Sequence, residues 1–321
     1  LFSNDMWKFH PERPKDFPDD LMLYRNETPI QSIIDQSDLT KDITDESIRF
    51  IEENKDNQFF LYIAHPQPHV PLFASKDFNG STGNGLFADV ISEIDFSVGR
   101  VIEALEKNNL TENTIVVFTS DNGPWLSYGD HAGSSGIYRE GKGTAWEGGQ
   151  RVPCIIKYPS EIKAKTIIDE PVMGIDWMPT FSHITGSKLS DNKIDGKNIW
   201  PLLTQKENKS PHKELYFYYR QNELHAVRSG NWKLYFPRSY RTLNGKPGGK
   251  DGMPAKYEYN EVKSNELYNL KEDPSEMKNV YMENIEKAKE LEKMGENARQ
   301  ELGDALTSRV GDGVRKIGTI D

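Results

Sequence analysis

A long apolar stripe at helical spacing, placed between two short apolar runs, constrains this fold more than any other feature of the sequence. The stripe begins at Phe87 and ends at Leu105, and its apolar residues recur at the spacing of a helix that covers a core. The runs, residues 59–64 and 114–118, have the length and composition of strands. This order of strand, helix and strand predicts a crossover unit in a largely parallel sheet. We therefore expect an α/β fold, with the second strand buried on both faces.

The second apolar run ends in a turn that carries oxygen ligands. Residues 119–124 read Thr-Ser-Asp-Asn-Gly-Pro, so Asp121 and Asn122 directly follow the strand. Carboxylate and amide oxygens are the ligands that calcium prefers, and open α/β sheets bind ligands beyond the carboxyl ends of their strands. An Asp-Asn-Gly sequence is also an ordinary turn, because Asn and Gly tolerate positive φ angles. On spacing alone, the turn interpretation is favoured.

A glycine-rich segment farther along the chain offers a positive charge. Residues 141–151 read Gly-Lys-Gly-Thr-Ala-Trp-Glu-Gly-Gly-Gln-Arg, and Lys142 lies between two glycines. The glycines let the backbone come close to a ligand, while the ammonium group presents a point charge to a tetrahedral anion. A lysine in such a turn is otherwise solvated. Taken with the preceding turn, the segment is suited to holding a hard cation and a small oxyanion side by side.

Three segments, in this order, resemble the type I sulfatases, the arylsulfatase branch of the alkaline-phosphatase-like superfamily. They are A-H-P-Q-P-H-V-P-L from residue 64, S-D-N-G-P from residue 120 and G-K-G-T-A-W-E-G-G-Q-R-V-P from residue 141. The resemblance implies an alkaline-phosphatase-like α/β/α sandwich, of which this chain is the C-terminal part, with a smaller subdomain of antiparallel sheet and helix. We expect residues 1–204 to belong to the large domain and residues 205–321 to form the C-terminal subdomain.

The resemblance also implies an activity, the hydrolysis of sulfate esters, and four site residues. In the family, the counterparts of Asp121 and Asn122 help to hold calcium, and the counterpart of Lys142 contacts the sulfate. His69 matches a histidine that contacts the sulfate ester oxygen or protonates the leaving group. A histidine that only caps a proline-rich turn is the alternative for His69. Arg151 is expected to pair with a carboxylate or to line the edge of the site.

Part of the family's catalytic machinery does not occur in this sequence. Family members carry a C-x-P-S-R or S-x-A-x-R segment, whose Cys or Ser becomes formylglycine, and an N-terminal Asp-Asp pair that completes the metal site. The nucleophile segment does not occur in the 321 residues, and the family's N-terminal metal-site pair is expected to be absent as well. The single cysteine, Cys154, lies in an apolar run and is predicted to be a buried, small hydrophobic residue. We expect the missing half to come from an N-terminal segment, in a longer protein or as a separate polypeptide. This chain alone would then be inactive.

Composition bears on the partners and the compartment. The net charge of −10 and the pI near 5.3 argue against a general affinity for nucleic acid or for anionic membranes. No apolar stretch is long enough to cross a bilayer. The substrate is expected to be a sulfated carbohydrate, since an apolar anchor for a lipid is lacking, and loops 130–133 and 238–241 could meet a sugar or a second sulfate. The acidic, Lys- and Asn-rich composition indicates a bacterial source, and the resemblance implies a periplasmic or secreted enzyme.

Two alternatives remain open at the level of the sequence. A phosphodiester or phosphonate ester hydrolase on the same fold would differ in the nucleophile segment. A non-catalytic fragment or sulfoglycan-binding scaffold is favoured if this chain exists alone, because half a ligand set should bind calcium poorly. The other predicted elements are an irregular segment to about residue 40, a helix at 45–53, an antiparallel meander at 215–219, 224–228 and 232–236, a long loop at 237–263 and a helix at 275–302.

Overall fold

The computed structural model of this protein describes residues 21–33 and 35–315. The chain forms two compact units. The first contains the described residues up to Val116, together with Trp125–Ser134 and Gly245–Lys256. The second contains Val117–Pro124, Ser135–Asn244 and the described residues from Tyr257 onward.

The first unit begins with an antiparallel hairpin of strands β1 (Leu21–Arg25) and β2 (Thr28–Ile33). The prediction of an irregular segment to residue 40 is therefore wrong for the hairpin, and residues 1–20 and 34 lie outside the described part. Helix α1 (Leu39–Asn54) includes the predicted helix and is longer at its N-terminal end. Proline, aspartate and polar residues in this part of the sequence obscured both elements.

Helix α2 (Leu86–Lys107) confirms the apolar stripe. Its residues Val90 and Ile94 are buried in a cluster with loop residues that include Val70 and Leu72. Farther along the helix, Leu105 packs with Ile51 of α1 in a second cluster. The stripe therefore serves two patches of core on one helix, which explains its unusual length.

The strand predicted at residues 59–64 is not seen in the described chain. Its side chains do alternate, since Phe59 and Leu61 pack near Ile51 while Phe60 and Tyr62 are 73% and 79% exposed. A strand also needs a hydrogen-bonded neighbour, and the ladders among the described residues do not include this run. The predicted crossover unit is likewise not seen in this part of the chain.

In the second unit, strand β3 (Val116–Thr119) pairs with β4 (Cys154–Lys157) in a two-stranded sheet. The short helices α3 (Glu147–Gln150), α4 (Trp177–Thr185) and α5 (Trp200–Leu203) belong to the same unit. β3 lies where the sequence placed it, but the prediction that it is buried on both faces is wrong, because its residues are half-buried or exposed. Cys154, predicted to be buried, is exposed for the same reason, because β3 and β4 pair with no further strand among the described residues.

The predicted meander is confirmed. Strands β5 (Leu215–Tyr219), β6 (Glu223–Ser229) and β7 (Trp232–Tyr235) pair in sequence and antiparallel. Strand β10 (Glu266–Asn269), which comes later in the chain, pairs with β7 and is the fourth strand of this sheet. Helix α6 (Ile285–Leu302) covers one face of this sheet. The core between the sheet and α6 contains Leu224, Val227, Leu234, Leu267, Ala288 and Leu291.

The long loop predicted at residues 237–263 is partly wrong. It contains an antiparallel pair, β8 (Arg238–Thr242) and β9 (Glu258–Val262). In β8 the side chains of Arg238, Tyr240 and Thr242 are buried, in the alternation of a half-buried strand. Arginine and serine at three of its five positions, and the glycine-rich stretch that follows, hid this pattern in the sequence.

Candidate active site

Two segments predicted separately from the sequence lie against each other in the second unit. The turn after β3 and the glycine-rich segment that ends in α3 share two backbone hydrogen bonds. The N–H of Gly123 donates to the carbonyl oxygen of Gly149 at 3.1 Å, and the N–H of Lys142 donates to the carbonyl oxygen of Pro124 at 2.8 Å. The structure therefore brings Asp121, Asn122 and Lys142 into one site.

Close approach of the two segments requires glycine at the turn. A Cβ atom built on Gly123 would collide with the carbonyl oxygen of Gly148. Gly143, next to Lys142, has a φ of +88° and lies against the guanidinium group of Arg241. Gly123 is therefore needed for the close contact between the two backbones, and Gly143 for its positive φ angle.

Asp121 and Asn122 offer the oxygen chemistry of a calcium site. Asp121 is exposed, and the Asn122 side-chain NH2 donates to the carbonyl oxygen of Gly123 at 3.2 Å, so this bond does not use the Asn122 side-chain oxygen. Calcium takes six to eight oxygen ligands. Among the residues that the structure describes, no group of three or more His, Cys, Asp or Glu side chains could hold a metal. The pair thus fits calcium in chemical type, but it is only part of a ligand set.

Lys142 is half-buried, and its surroundings shift the pKa of its ammonium group. Burial lowers the pKa of the Lys142 ammonium group below its ordinary value; the negative charge of Asp121 opposes this shift, and the positive charge of Arg241 adds to it. The Arg241 guanidinium also donates two hydrogen bonds to the Lys142 carbonyl oxygen, from Nε at 3.1 Å and from Nη2. A desolvated cation beside an oxygen-rich turn is suited to binding a small oxyanion.

A buried ionic network supports the segment that carries Lys142. The Nζ of Lys233, on β7, lies 2.7 Å from Oε1 of Glu147, 3.6 Å from Oε1 of Glu276 and 2.7 Å from the carbonyl oxygen of Ala145. All three ionic side chains are almost wholly buried. The backbone N–H of Glu147 donates to the Glu276 carboxylate at 2.8 Å, and Tyr235 donates to it as well. The network ties α3 to the four-stranded sheet.

The network shifts its two carboxyl groups in opposite directions. Burial alone would raise the pKa of Glu147, but the charges of Lys233 and Arg228 outweigh it, so the pKa lies below the usual value. For Glu276, burial prevails over the attraction of Lys233 and raises the pKa. Sequence reasoning missed Lys233 and Glu276, because no local pattern marks charges that pair over such sequence distances.

An aromatic cluster packs against the same segment. Trp146 is fully buried, and its ring centroid lies 4.1 Å from that of Tyr235 and 5.5 Å from that of Tyr240. The Arg139 guanidinium stacks on Trp146 at 3.7 Å from the ring centroid and donates to the Tyr240 hydroxyl at 3.0 Å. The backbone on both sides of Lys142 is therefore fixed by packing in the core of the second unit.

His69 belongs to the first unit, at the predicted loop. Its Nδ1 lies 2.8 Å from the carbonyl oxygen of Val70, which can only accept, so Nδ1 carries a proton and Nε2 is the nitrogen that can exchange one. The ring lies against Trp125 with a centroid distance of 5.7 Å. The buried side chain of Gln67 bonds to Pro71 and Phe73 of the same loop. The orientation of the ring is thus fixed, and Nε2 can donate a proton only in the imidazolium form, in which both ring nitrogens carry one.

The other candidate residues have mixed outcomes. The Arg151 guanidinium lies 4.8 Å from the ring centroid of Tyr138, and its positive charge also contributes to lowering the pKa of Glu147. Segment 238–241 is strand β8, with Arg238 buried under Tyr235, and is not a surface loop. Segment 130–133 is a helical turn in which the Asp130 carboxylate accepts from the N–H of Asp251. A role in substrate binding stays a prediction for both segments.

Comparison with known protein families decides the assignment. The family model described as "Sulfatase" matches residues 8–187, which is more than half of the chain, and the model of the C-terminal region of aryl-sulfatase matches residues 210–310. The chain belongs to the sulfatase family. The resemblance identified from the three sequence segments is confirmed.

Individual sulfatases support the same assignment. Human steryl-sulfatase is 37% identical over 247 residues, which cover 73% of this chain and 42% of the human protein. An arylsulfatase from Hemicentrotus pulcherrimus is 38% identical over 225 residues, which cover 69% of this chain and 40% of that protein. The solved structure of Ps i-CgsB in complex with k-i-k-neocarrahexaose has 28% identity and a TM-score of 0.70, covering 91% of this chain and 60% of that one. These matches confirm the alkaline-phosphatase-like α/β fold of the sulfatase chain.

The matches also show how much of a sulfatase is present. The sulfatase chain spans about two fifths of the length of the two curated relatives. Within its described residues, no helix has both the length and the apolar character needed to cross a membrane.

Proposed function

We propose that this protein hydrolyses sulfate esters. One observation carries the proposal: the segment that holds Lys142 is hydrogen-bonded to the turn that holds Asp121 and Asn122, so a cationic side chain and two metal-type oxygens lie at one site. A sulfate ester needs such a pair, since negative charge on its oxygens must be neutralised as the ester bond breaks. Membership of the sulfatase family supports the same activity.

Four residues have roles in this proposal. Asp121 and Asn122 would contribute oxygen ligands to calcium, and Lys142 would bind the sulfate group. When bound, calcium supplies positive charge that polarises sulfate oxygens. His69, in its imidazolium form and with Nδ1–H bonded to the Val70 carbonyl oxygen, would deliver the Nε2 proton to the departing alcohol oxygen and become a neutral imidazole.

The nucleophile of the proposed enzyme is a formylglycine, as is general in the family, on a segment outside these 321 residues. No candidate for it occurs within them, since Cys154 is followed by Ile155 and Ile156 and lacks the motif. Peptide mass spectrometry of the purified protein tests this point. A formylglycine peptide in the same polypeptide, or in a second one that co-purifies, supports the proposal. If no formylglycine peptide is found in either place, the proposal is contradicted.

A sulfated carbohydrate is the proposed substrate class. Support comes from the matched Ps i-CgsB structure, described as a complex with k-i-k-neocarrahexaose. The name of the human relative, steryl-sulfatase, points to a different substrate, so the two must be tested against each other. We further propose a periplasmic or secreted enzyme of bacterial origin. Residues 1–204 would belong to its large domain and residues 205–321 to its C-terminal subdomain.

The decisive assay compares ester classes with the full-length protein in calcium-containing buffer. Sulfated oligosaccharides, a sterol sulfate, an aryl sulfate and an aryl phosphodiester are supplied at equal concentration, and the release of sulfate or phenol is measured. Faster release from oligosaccharides than from the sterol sulfate is expected. Preference for the sterol sulfate would overturn the substrate class, and preference for the phosphodiester would overturn the activity. No turnover of any ester would favour a non-catalytic scaffold.

A further inference from the structure

Strand β8 (Arg238–Thr242) lies along the segment that carries Lys142 and contacts it at three successive residues. The Tyr240 hydroxyl accepts a hydrogen bond from Arg139 at 3.0 Å. The Arg241 guanidinium donates to the carbonyl oxygen of Lys142. The Thr242 hydroxyl donates to the Glu140 carboxylate at 2.6 Å. Side chains on both faces of β8 thus hold the backbone around Lys142.

The contact made by Arg241 differs from the other two because it reaches the peptide group of Lys142 itself. Two donors of one planar guanidinium, Nε and Nη2, converge on that single carbonyl oxygen. On the other side, the N–H of Lys142 donates to Pro124 at 2.8 Å. Both polar backbone groups of Lys142 are therefore held: the N–H by the turn that carries Asp121 and Asn122, and the carbonyl oxygen by Arg241.

The surroundings of Arg241 leave little room for another arrangement. Its guanidinium carbon lies 4.7 Å from the ring centroid of Tyr257, which restrains the plane of the group. On the opposite side it occupies the space into which a side chain at residue 143 would project, and residue 143 is glycine. Lysine at position 241 could not reproduce the contact, because an ammonium group lacks the planar pair of donors.

We propose that Arg241 is a positioning residue for Lys142: by clamping the Lys142 carbonyl oxygen, it fixes the direction in which the Lys142 ammonium group meets an anionic substrate. This inference rests on the proposed function. Fixing the backbone of Lys142 fixes the point from which its side chain extends. The side chain therefore loses less conformational freedom when the anion binds. Arg241 acts through Lys142 in this scheme and does not itself touch the substrate.

The test is a double-mutant cycle in the full-length protein, with kcat and KM measured for sulfate release. Arg241→Ala is expected to lower kcat/KM by about 10- to 100-fold, the cost of misplacing a site group by roughly an ångström. In a Lys142→Ala background, Arg241→Ala should change kcat/KM by less than about twofold, because a residue that acts only through Lys142 has nothing left to position. Equal losses in both backgrounds would overturn the proposal, as would an unchanged single variant.

The matched control is Arg220→Ala. Arg220 also lies over a tyrosine of β9, with its guanidinium carbon 5.7 Å from the Tyr259 ring centroid, and it pairs with Glu223 at 3.7 Å. Its loss removes the same charge and the same kind of stacking from the same region. Arg220→Ala is therefore expected to keep the wild-type kcat/KM. An equal loss in both arginine variants would assign the effect to net charge and contradict positioning.

Hydrogen exchange measures the clamp without requiring turnover, and thermal melting shows whether each variant is folded. Hydrogen exchange of a peptide covering residues 141–146 should become faster in Arg241→Ala and stay unchanged in Arg220→Ala, with thermal melting checking that both are folded. If Arg241→Ala does not fold, Arg241→Lys takes its place and should also exchange faster. Unchanged exchange would overturn the clamp. If wild type releases no sulfate while exchange responds as expected, the proposed function fails and the positioning of Lys142 toward a sulfate ester falls with it, but the clamp remains.

Discussion

The backbone N–H of Lys142 donates a 2.8 Å hydrogen bond to the carbonyl oxygen of Pro124, so the loop with the proposed sulfate-binding lysine is tied to the turn with the proposed calcium ligands. Each segment, taken by itself, is an ordinary glycine-rich turn. Their contact makes one site of them. Changes in either segment should therefore affect the other.

Asp121→Asn is expected to weaken calcium binding by more than about tenfold, since even outer-shell changes at metal sites cost that much. The substitution keeps the size of the side chain and removes its charge. Metal content of the full-length protein after dialysis, and titration calorimetry with calcium chloride, measure the effect. Asp191→Asn is the control, because Asp191 is 91% exposed and pairs with Lys188 in a surface contact at 3.3 Å. Equal calcium retention in both variants would remove Asp121 from the ligand set.

His69→Ala should slow the hydrolysis of sulfate esters, and the loss of rate should be larger for a more basic departing alcohol. A proton donor matters for a sugar hydroxyl and hardly at all for nitrophenolate, which leaves without protonation. We expect kcat to fall by about 100-fold or more on a sulfated sugar and by less than about threefold on nitrophenyl sulfate. A similar loss on both esters would mean that His69 binds or only supports the loop.

Gly123→Ala tests the contact between the two segments through stability. The added methyl group would collide with the Gly148 carbonyl oxygen, and overpacking of this kind costs about 1–3 kcal/mol. Gly99→Ala is the matched control: this glycine lies within helix α2, has no neighbour within 4 Å of a built Cβ and should stabilise the protein by about 1 kcal/mol. Urea unfolding of both variants measures the difference. No loss of stability in Gly123→Ala would show that the segments are not in this contact.

Lys233→Met tests the buried network beneath the lysine segment. Removing the cation takes the closest charge partner from the buried Glu147 and Glu276 carboxylates, with Arg228 still 3.3 Å from Glu147, and breaking such a buried ion pair costs about 3–5 kcal/mol. Lys193→Met is the control, since Lys193 is 74% exposed and its pair with Glu301 lies at the surface, where such pairs contribute about 0–1 kcal/mol. Urea unfolding reports both. A loss no larger than that of the control would show that Lys233 is not essential to the fold.

The fold was predictable from the sequence where patterns are local. Helix α2 follows from its stripe, and strands β5 to β7 follow from short apolar runs separated by turns. Residues 59–64 and strand β8 were assigned wrongly for opposite reasons. The first run has the composition of a strand but belongs to no ladder of the described chain, while β8 pairs with β9 although Arg238 and Arg241 interrupt its apolar character.

The candidate site was predictable to a different depth. The three sequence segments predicted Asp121, Asn122, Lys142 and His69 as site residues; their roles stay a prediction, and the structure places the first three together. The side chains that support the site were out of reach, because Lys233 meets Glu147 across 86 residues and Arg241 meets Lys142 across 99. Pairings at such separation depend on the fold, and periodicity carries no signal for them.

The central claim, that Lys142 belongs to a sulfate ester hydrolase site, is tested most directly by the initial rate of inorganic sulfate release. Full-length wild-type protein, Lys142→Ala and the surface control Lys188→Ala are compared in calcium-containing buffer on a sulfated oligosaccharide, with thermal melting to confirm folding. We expect Lys188→Ala to match the wild-type rate and Lys142→Ala to lose about 100-fold or more, as for the loss of a group that stabilises charge in the transition state. A folded Lys142→Ala variant that releases sulfate at the wild-type rate would contradict the claim.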